Sequence, residues 1–205
     1  MSKKLFIITI PMLPTESLKR IPYRKEDRGE IFTDPSRFPG IVMLETCILG
    51  NEDVKIVTIR TDDDNGRTEP NYKLFKEELS ELSKKLEREL KIDEEIVVSH
   101  SENRDKQLSL FKQLCALYED GDEVYMDITY GTKVTSSCLF STLTYAEKIA
   151  HCDVNGVFYG KYSHGDENLG DLYDVSCLYE LAMLANAGAF MDKGKFDALV
   201  NKLWG

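Results

Sequence analysis

The alternation of short apolar runs with helical patterns along this chain narrows its fold more than any other feature. Residues 5–10 form a continuous apolar, β-branched run (LFIITI), which is typical of a central parallel strand buried on both faces. Between residues 74 and 90, apolar side chains recur at spacings of three and four, which predicts an amphipathic helix. Strands that alternate with helices need right-handed crossovers. The sequence therefore predicts an α/β domain with a Rossmann-like, doubly wound, mostly parallel six-stranded sheet flanked by helices.

The same patterns place each element along the chain. The predicted strands are 5–10, 54–59, 96–98, 124–129, 154–159 and 172–175, and the predicted helices are 41–49, 74–90, 108–118, 132–150 and 176–190. The polar, proline-rich segment between Pro11 and Pro39 has no sustained periodicity and is predicted to be a long loop.

Charge and cysteine content limit the classes of function. The formal net charge of −10 opposes attraction to duplex DNA, which needs a basic protein face, whereas a small anionic ligand needs only local donors. The five cysteines are odd in number and form no C-x-x-C pair, which argues against a disulfide framework or a zinc ribbon. No signal-peptide pattern or membrane-spanning apolar stretch occurs. We therefore expect a cytoplasmic protein with no membrane partner.

The strand order predicts where a ligand would bind. In open parallel sheets, ligands bind outside the carboxyl ends of the strands at the point where the strand order reverses. With the order 3-2-1-4-5, the first and fourth predicted strands flank that point. The loops concerned are then Thr9 to Leu13 and Asp127 to Lys133.

The segment Gly131-Thr132-Lys133 is the most informative part of these loops. Gly131 allows a tight turn, the amides of Thr132 and Lys133 open the next helix, and Lys133 adds a positive charge, so together they would hold a phosphate. The other interpretation is an ordinary strand-to-helix turn with Thr132 as N-cap and Lys133 in solvent. Neither a Walker A loop nor G-x-G-x-x-G occurs, so no dinucleotide cofactor is expected.

Other candidate residues have simpler interpretations. His100 and Arg104 follow the third predicted strand and could contact a ligand or lie in a solvated loop. His151 and Cys152 are sequence neighbours, so in a strand they point to opposite faces and cannot easily form a nucleophilic pair. The acidic run 62–66 lacks the spacing of a calcium loop and is predicted to be a solvated turn.

Three spaced segments carry a resemblance to a known family. Residues 125–133 (YMDITYGTK) match the pattern D-[hydrophobic]-T-[HY]-G-[TF]-[KR], and 157–162 (VFYGKY) and 171–176 (DLYDVS) follow in the expected order. From Thr9 to about Phe190 the chain thus resembles CRISPR-associated Rossmann fold (CARF) domains, which act as sensors in type III CRISPR antiviral defence.

The resemblance implies a homodimer whose two clefts bind one cyclic oligoadenylate, a cyclic tetra- or hexa-adenylate, without metal or cofactor. It implies a CARF domain over residues 1–190 and a C-terminal helix over 191–205, which could begin a linker to an effector that is fused or separate. The ligand-binding residues would be Thr9, Pro11, Met12, Leu13, Asp127, Tyr130, Gly131, Thr132 and Lys133. Asp127 is expected to fix the loop rather than touch the anionic ring, because like charges repel.

Two other classes of function remain open. One is an enzyme: either a nucleotide hydrolase or a slow, metal-independent ring nuclease, in which the ring's own 2′-hydroxyl attacks the adjacent phosphate while Lys133, Thr132 and Thr9 align it and stabilise charge. The other is a dimeric scaffold with an empty crevice.

Overall fold

The computed structural model describes residues 3–25, 33–62, 66–162, 168–189 and 191–204. The strands are β1 (Lys4–Thr9), β2 (Tyr23–Lys25), β3 (Val54–Asp62), β4 (Glu94–Ser99), β5 (Glu123–Asp127), β6 (Asp153–Tyr162) and β7 (Gly170–Asp174). The α-helices are α1 (Pro39–Cys47), α2 (Thr68–Lys85), α3 (Arg104–Cys115), α4 (Lys133–Lys148), α5 (Ser176–Ala187) and α6 (Lys193–Trp204).

The strands form one sheet in the order β2-β7-β6-β5-β1-β3-β4. All neighbouring strands are parallel except β6 and β7, which are antiparallel. From the central β1 the chain builds β3 and β4 on one side, and then β5, β6 and β7 on the other. The predicted α/β, Rossmann-like architecture is thus confirmed, and the reversal of strand order lies between β1 and β5, as expected.

The sheet has one strand more than the six predicted, because β2 lies inside the long polar segment. β2 is only three residues long and pairs in parallel with the distant strand β7. Arg24 also forms an ion pair with Asp171, with 2.8 Å between Nη2 and Oδ1. No apolar run or alternation marks this strand, so only its tertiary partner creates it.

The core lies on both faces of the sheet. Phe6 and Ile8 of β1 belong to the apolar cluster under α1 and α2, whereas Leu5 and Ile7 belong to the cluster under α3 and α4. None of these four side chains is more than 1% exposed, and burial of each contributes about 1.5–3 kcal/mol. The uniform apolar run of β1 therefore reflects a strand that is covered on both faces.

The helix boundaries follow local signals. α1 begins at Pro39, which occupies the first turn as predicted. α3 begins after Asn103, whose side chain accepts a hydrogen bond from the Lys106 amide at 3.1 Å. α6 forms a helix of its own after α5, and Phe190 lies outside the described residues. Within those residues, no helix has both the length and the apolar composition needed to cross a bilayer.

Candidate functional site

A cleft of about 960 Å³ opens at the carboxyl ends of β1, β5 and β6, where the strand order reverses. Its lining residues are Met12, Leu13, Ser17, Leu18, Lys19, Ile21, Tyr23, Arg37, Pro39, Thr129, Tyr130, Gly131, Gly160 and Tyr162. These described lining residues include two cations, Lys19 and Arg37, and no carboxylate. In a chain with a net charge of −10, such a lining favours an anionic ligand.

The turn after β5 is held by the carboxylate of Asp127. Its Oδ1 accepts hydrogen bonds from the Thr129 amide at 2.9 Å and from the Thr129 hydroxyl at 2.5 Å. The Thr129 hydroxyl in turn accepts a bond from the Gly160 amide at 2.8 Å. Gly160 is required there, because a Cβ at this position would lie 2.2 Å from Cγ of Pro39. These contacts fix β5, β6 and the start of α1 around the cleft.

The second oxygen of Asp127 is buried without compensation. Asp127 is 1% exposed, and its Oδ2 has no hydrogen-bond partner among the described residues. Burial raises the pKa of this carboxyl group from its ordinary value of 3.8 to about 6, although the bonds from Thr129 act in the opposite direction. The carboxylate lies beneath the cleft and not on its surface, which agrees with a role in fixing the loop.

Thr9 joins the two loops that meet at the switch point. Its hydroxyl donates to the carbonyl oxygen of Asp127 at 3.2 Å and accepts from the Tyr130 amide at 3.0 Å. Tyr130 then donates from its hydroxyl to the carbonyl oxygen of Arg37 at 3.2 Å. Thr9 is 1% exposed, so its hydroxyl connects backbone groups and does not line the cleft.

Gly131 and Thr132 turn the chain from the sheet into α4. Gly131 has a φ of +89°, in the left-handed region that strains other residues. Thr132 is the N-cap of α4, and its hydroxyl accepts from the Thr135 amide at 3.1 Å. The capping interpretation of Thr132 is therefore correct, and the amino-terminal end of α4 begins beside the cleft.

Lys133 does not line this cleft. It is exposed and lines a separate groove of about 410 Å³ between α3 and α4, together with Leu108, Phe111 and Cys138. Thr132 lines a third space of about 340 Å³ on the side of β4 and α3. Among the predicted residues, Met12, Leu13, Tyr130 and Gly131 line the cleft, Thr9, Pro11 and Asp127 are buried next to it, and Thr132 and Lys133 face the neighbouring grooves.

The first loop is positioned by Asn71 of α2, which sequence reasoning missed. The Asn71 amide group donates to the carbonyl oxygens of Pro11 at 2.9 Å and Leu13 at 2.8 Å, and its Oδ1 accepts from Thr15 at 2.8 Å. Asn71 is fully buried, and all of these groups are satisfied. Asn71 lies four residues before Phe75, and this spacing places both residues on the same face of a helix. That spacing was the sequence signal for a buried asparagine.

Three further lining residues were also missed: Lys19, Arg37 and Tyr162. Lys19 and Arg37 belong to the polar segment without periodicity, and Tyr162 is the last residue of β6. Only the folded arrangement brings these residues to the same cleft as Gly131.

The remaining candidates lie elsewhere. His100 and Arg104 are exposed beyond β4 and do not line the cleft. Cys152 is buried, its thiol donates to the carbonyl oxygen of Glu119 at 3.2 Å, and burial raises its pKa to about 11, which makes it a poor nucleophile. None of the five cysteines, all of which lie in the described ranges, forms a disulfide bond. His164 and residues 63–65 of the acidic run lie outside the described residues.

Comparison with models of known protein families gives no match for this chain, and comparison with curated proteins gives none either.

Proposed function

We propose that this protein is a dimeric CARF-type sensor that binds a cyclic oligoadenylate in the switch-point cleft and regulates an effector in the cytoplasm. The observation that carries the proposal is the lining of the cleft: two cations and no carboxylate among its described residues, in a chain with a net charge of −10. Lys19, which makes no ion pair within the described ranges, and the guanidinium donors of Arg37 that do not bond Glu78 favour a phosphate-bearing ligand.

The residues of the CARF-like pattern have physical roles that suit this function. Asp127 and Thr129 fix the turn after β5, and Gly131 supplies the left-handed residue that leads into α4. The turn thus presents backbone amides and the positive end of a helix beside the cleft, a combination that favours anions. A chance match to the pattern would not require these contacts.

The size of the cleft supports a site shared between two copies. About 960 Å³ is near the upper end of the range for drug-sized ligands, about 300–1,000 Å³. A ring of four or six adenylates is larger than such ligands, so one cleft would hold only part of it. Two clefts related by a two-fold axis would enclose the whole ring.

The groove between α3 and α4 is the surface we propose for dimerisation. It contains Leu108, which is 47% exposed, together with Phe111 and Cys138. Lys133 lines the same groove, so pairing of two copies through it would bring both Lys133 side chains to the edge of a shared site. This arrangement reconciles the predicted phosphate contact of Lys133 with its position outside the cleft of a single chain.

Binding is favoured over ring cleavage. Thr9, one of the three groups in the ring-nuclease alternative, is buried with its hydroxyl engaged by two backbone groups. It therefore lacks access to a ligand phosphate.

Calorimetric titration tests the proposal, with cyclic tetra-adenylate, cyclic hexa-adenylate, linear hexa-adenylate and ATP as ligands. We expect one cyclic ring to bind more tightly than the linear oligomer and ATP, with one ring per two chains. Chromatography of the ring after prolonged incubation should show it intact. Preference for ATP would instead support a nucleotide hydrolase, and degradation of the ring would support the nuclease. If no ring binds, the sensor proposal is wrong.

A further inference from the structure

The cleft is lined by residues from two parts of the chain that lie far apart in the sequence. Lys19 and Arg37 precede α1, and Tyr162 ends β6. We infer that Lys19, Arg37 and Tyr162 form a subsite for one nucleotide unit, in which the two cations bind the phosphate and the Tyr162 ring stacks on the base. The assignment of this nucleotide to a cyclic oligoadenylate rests on the proposed function.

Arg37 is held at the cleft by the buried carboxylate of Glu78. Its Nη1 lies 2.7 Å from Oε1 of Glu78, and its backbone amide donates to Oε2 at 3.2 Å. Glu78 is 3% exposed and also accepts bonds from Ser36 at 2.6 Å and from Arg20 at 3.2 Å. Because Glu78 engages one of the guanidinium nitrogens, the remaining donors can bind an anion without losing this anchor.

Arg37 is also connected to the turn after β5. Its carbonyl oxygen accepts the hydroxyl proton of Tyr130 at 3.2 Å. Tyr130 directly precedes Gly131 in the turn after β5. This bond fixes the backbone of Arg37 relative to the turn, and Glu78 holds its guanidinium. A preorganised donor loses little side-chain freedom when it binds phosphate.

Lys19 supplies a second positive charge with different properties. It is exposed and, within the described ranges, makes no ion pair. A lysine without a carboxylate partner on the lining of a cleft is a mobile point charge suited to an anion. Its contribution should therefore depend more strongly on salt than that of Arg37.

Tyr162 supplies an aromatic surface in the same cleft. Its side chain is 38% exposed, and its hydroxyl donates to Oδ1 of Asn168 at 3.3 Å. Gly160, two residues earlier on the same face of β6, also lines the cleft. Partly exposed aromatic rings beside cations are the usual platform on which single-stranded nucleotides stack.

The test compares matched variants in titrations with cyclic hexa-adenylate, cyclic tetra-adenylate and adenosine monophosphate. We expect Arg37→Ala to weaken binding by about 10- to 100-fold and Tyr162→Ala by about 5- to 100-fold. Tyr162→Phe keeps the ring and should stay within about 3-fold of the wild type. Tyr159→Ala is the control: this tyrosine is on the same strand and 42% exposed, but it does not line the cleft.

Lys19→Ala tests the subsite with a variant that should fold normally, because this exposed side chain holds no other group in the described structure. It should weaken binding by about 3- to 10-fold at low salt, and the loss should shrink as salt rises. If rings bind but Arg37→Ala and Tyr162→Ala match Tyr159→Ala, the subsite is wrong while the sensor proposal survives. If neither cyclic oligoadenylate binds but the monophosphate does, with the expected dependence on Tyr162, the subsite is supported and the sensor proposal is wrong. If no probe binds, both are wrong.

Discussion

Replacing Asp127 with asparagine should remove a loss of stability that develops as the pH rises from about 4 to about 6. Burial raises the native pKa of Asp127 from 3.8 to about 6, whereas the unfolded chain keeps the ordinary value of about 3.9. Each unit of pKa corresponds to 1.36 kcal/mol, so the ionised carboxylate lowers the free energy of unfolding by about 3 kcal/mol at neutral pH. Asparagine retains an acceptor for the two bonds from Thr129 and carries no charge.

The pH dependence follows from the same two values. Below about pH 4 the carboxyl group is protonated in both the native and the unfolded state and does not affect the free energy of unfolding. As the pH rises from about 4 to about 6, its ionisation lowers the free energy of unfolding. Urea unfolding of both proteins from about pH 4 to about pH 8 measures this. The amide nitrogen of asparagine replaces the unpaired Oδ2 and adds a cost that does not depend on pH. We therefore expect the stability of the variant relative to the wild type to be about 3 kcal/mol higher at pH 8 than near pH 4. All other titratable groups are shared and cancel in the difference. A difference that is independent of pH between about pH 4 and pH 8 would refute the argument that this carboxylate is buried without compensation.

Three other substitutions test the turn, the proposed phosphate contact and the proposed dimer surface. Gly131→Ala places a side chain at a φ of +89° and should lower the free energy of unfolding by about 1–2 kcal/mol; unchanged urea unfolding would contradict this. Lys133→Ala should weaken ring binding in calorimetry by about 1–3 kcal/mol per site, and an unchanged affinity would remove Lys133 from the site. Leu108→Asp should convert dimers to monomers in sedimentation experiments, whereas Leu178→Asp, at another exposed leucine outside the groove, should not; a dimer that persists in Leu108→Asp would place the interface elsewhere.

The sheet could largely be predicted from the sequence, because strands covered on both faces have a strong compositional signal. The run of β1 and the helical spacing in α2 depend only on local pattern and burial. β2 could not be predicted, since its three residues form a strand only by pairing with β7. The start of α2 at Thr68 was missed for a similar reason: the first turns contain few apolar residues, and their buried polar side chains face the first loop.

The candidate site was predictable only in part. The rule that ligands bind where strand order reverses led to the loops at Thr9 and Gly131, which meet beside the cleft, because it depends on topology. The rule does not predict the direction in which a side chain points, and Lys133 lines the α3–α4 groove instead of the cleft. The two lining cations lie in a segment without periodicity, so no pattern related Arg37 to Tyr130 before the fold joined them.

The central position of β1 has a consequence for how the protein is made. The hydrogen bond from Thr9 to Asp127 joins residues 118 positions apart, so a nascent chain exposes the first strand long before its neighbour β5 leaves the ribosome. During that interval one edge of a strongly apolar strand is open to other polypeptides. We therefore expect slow folding, and the pocket would form only after β5 and β6 have been translated.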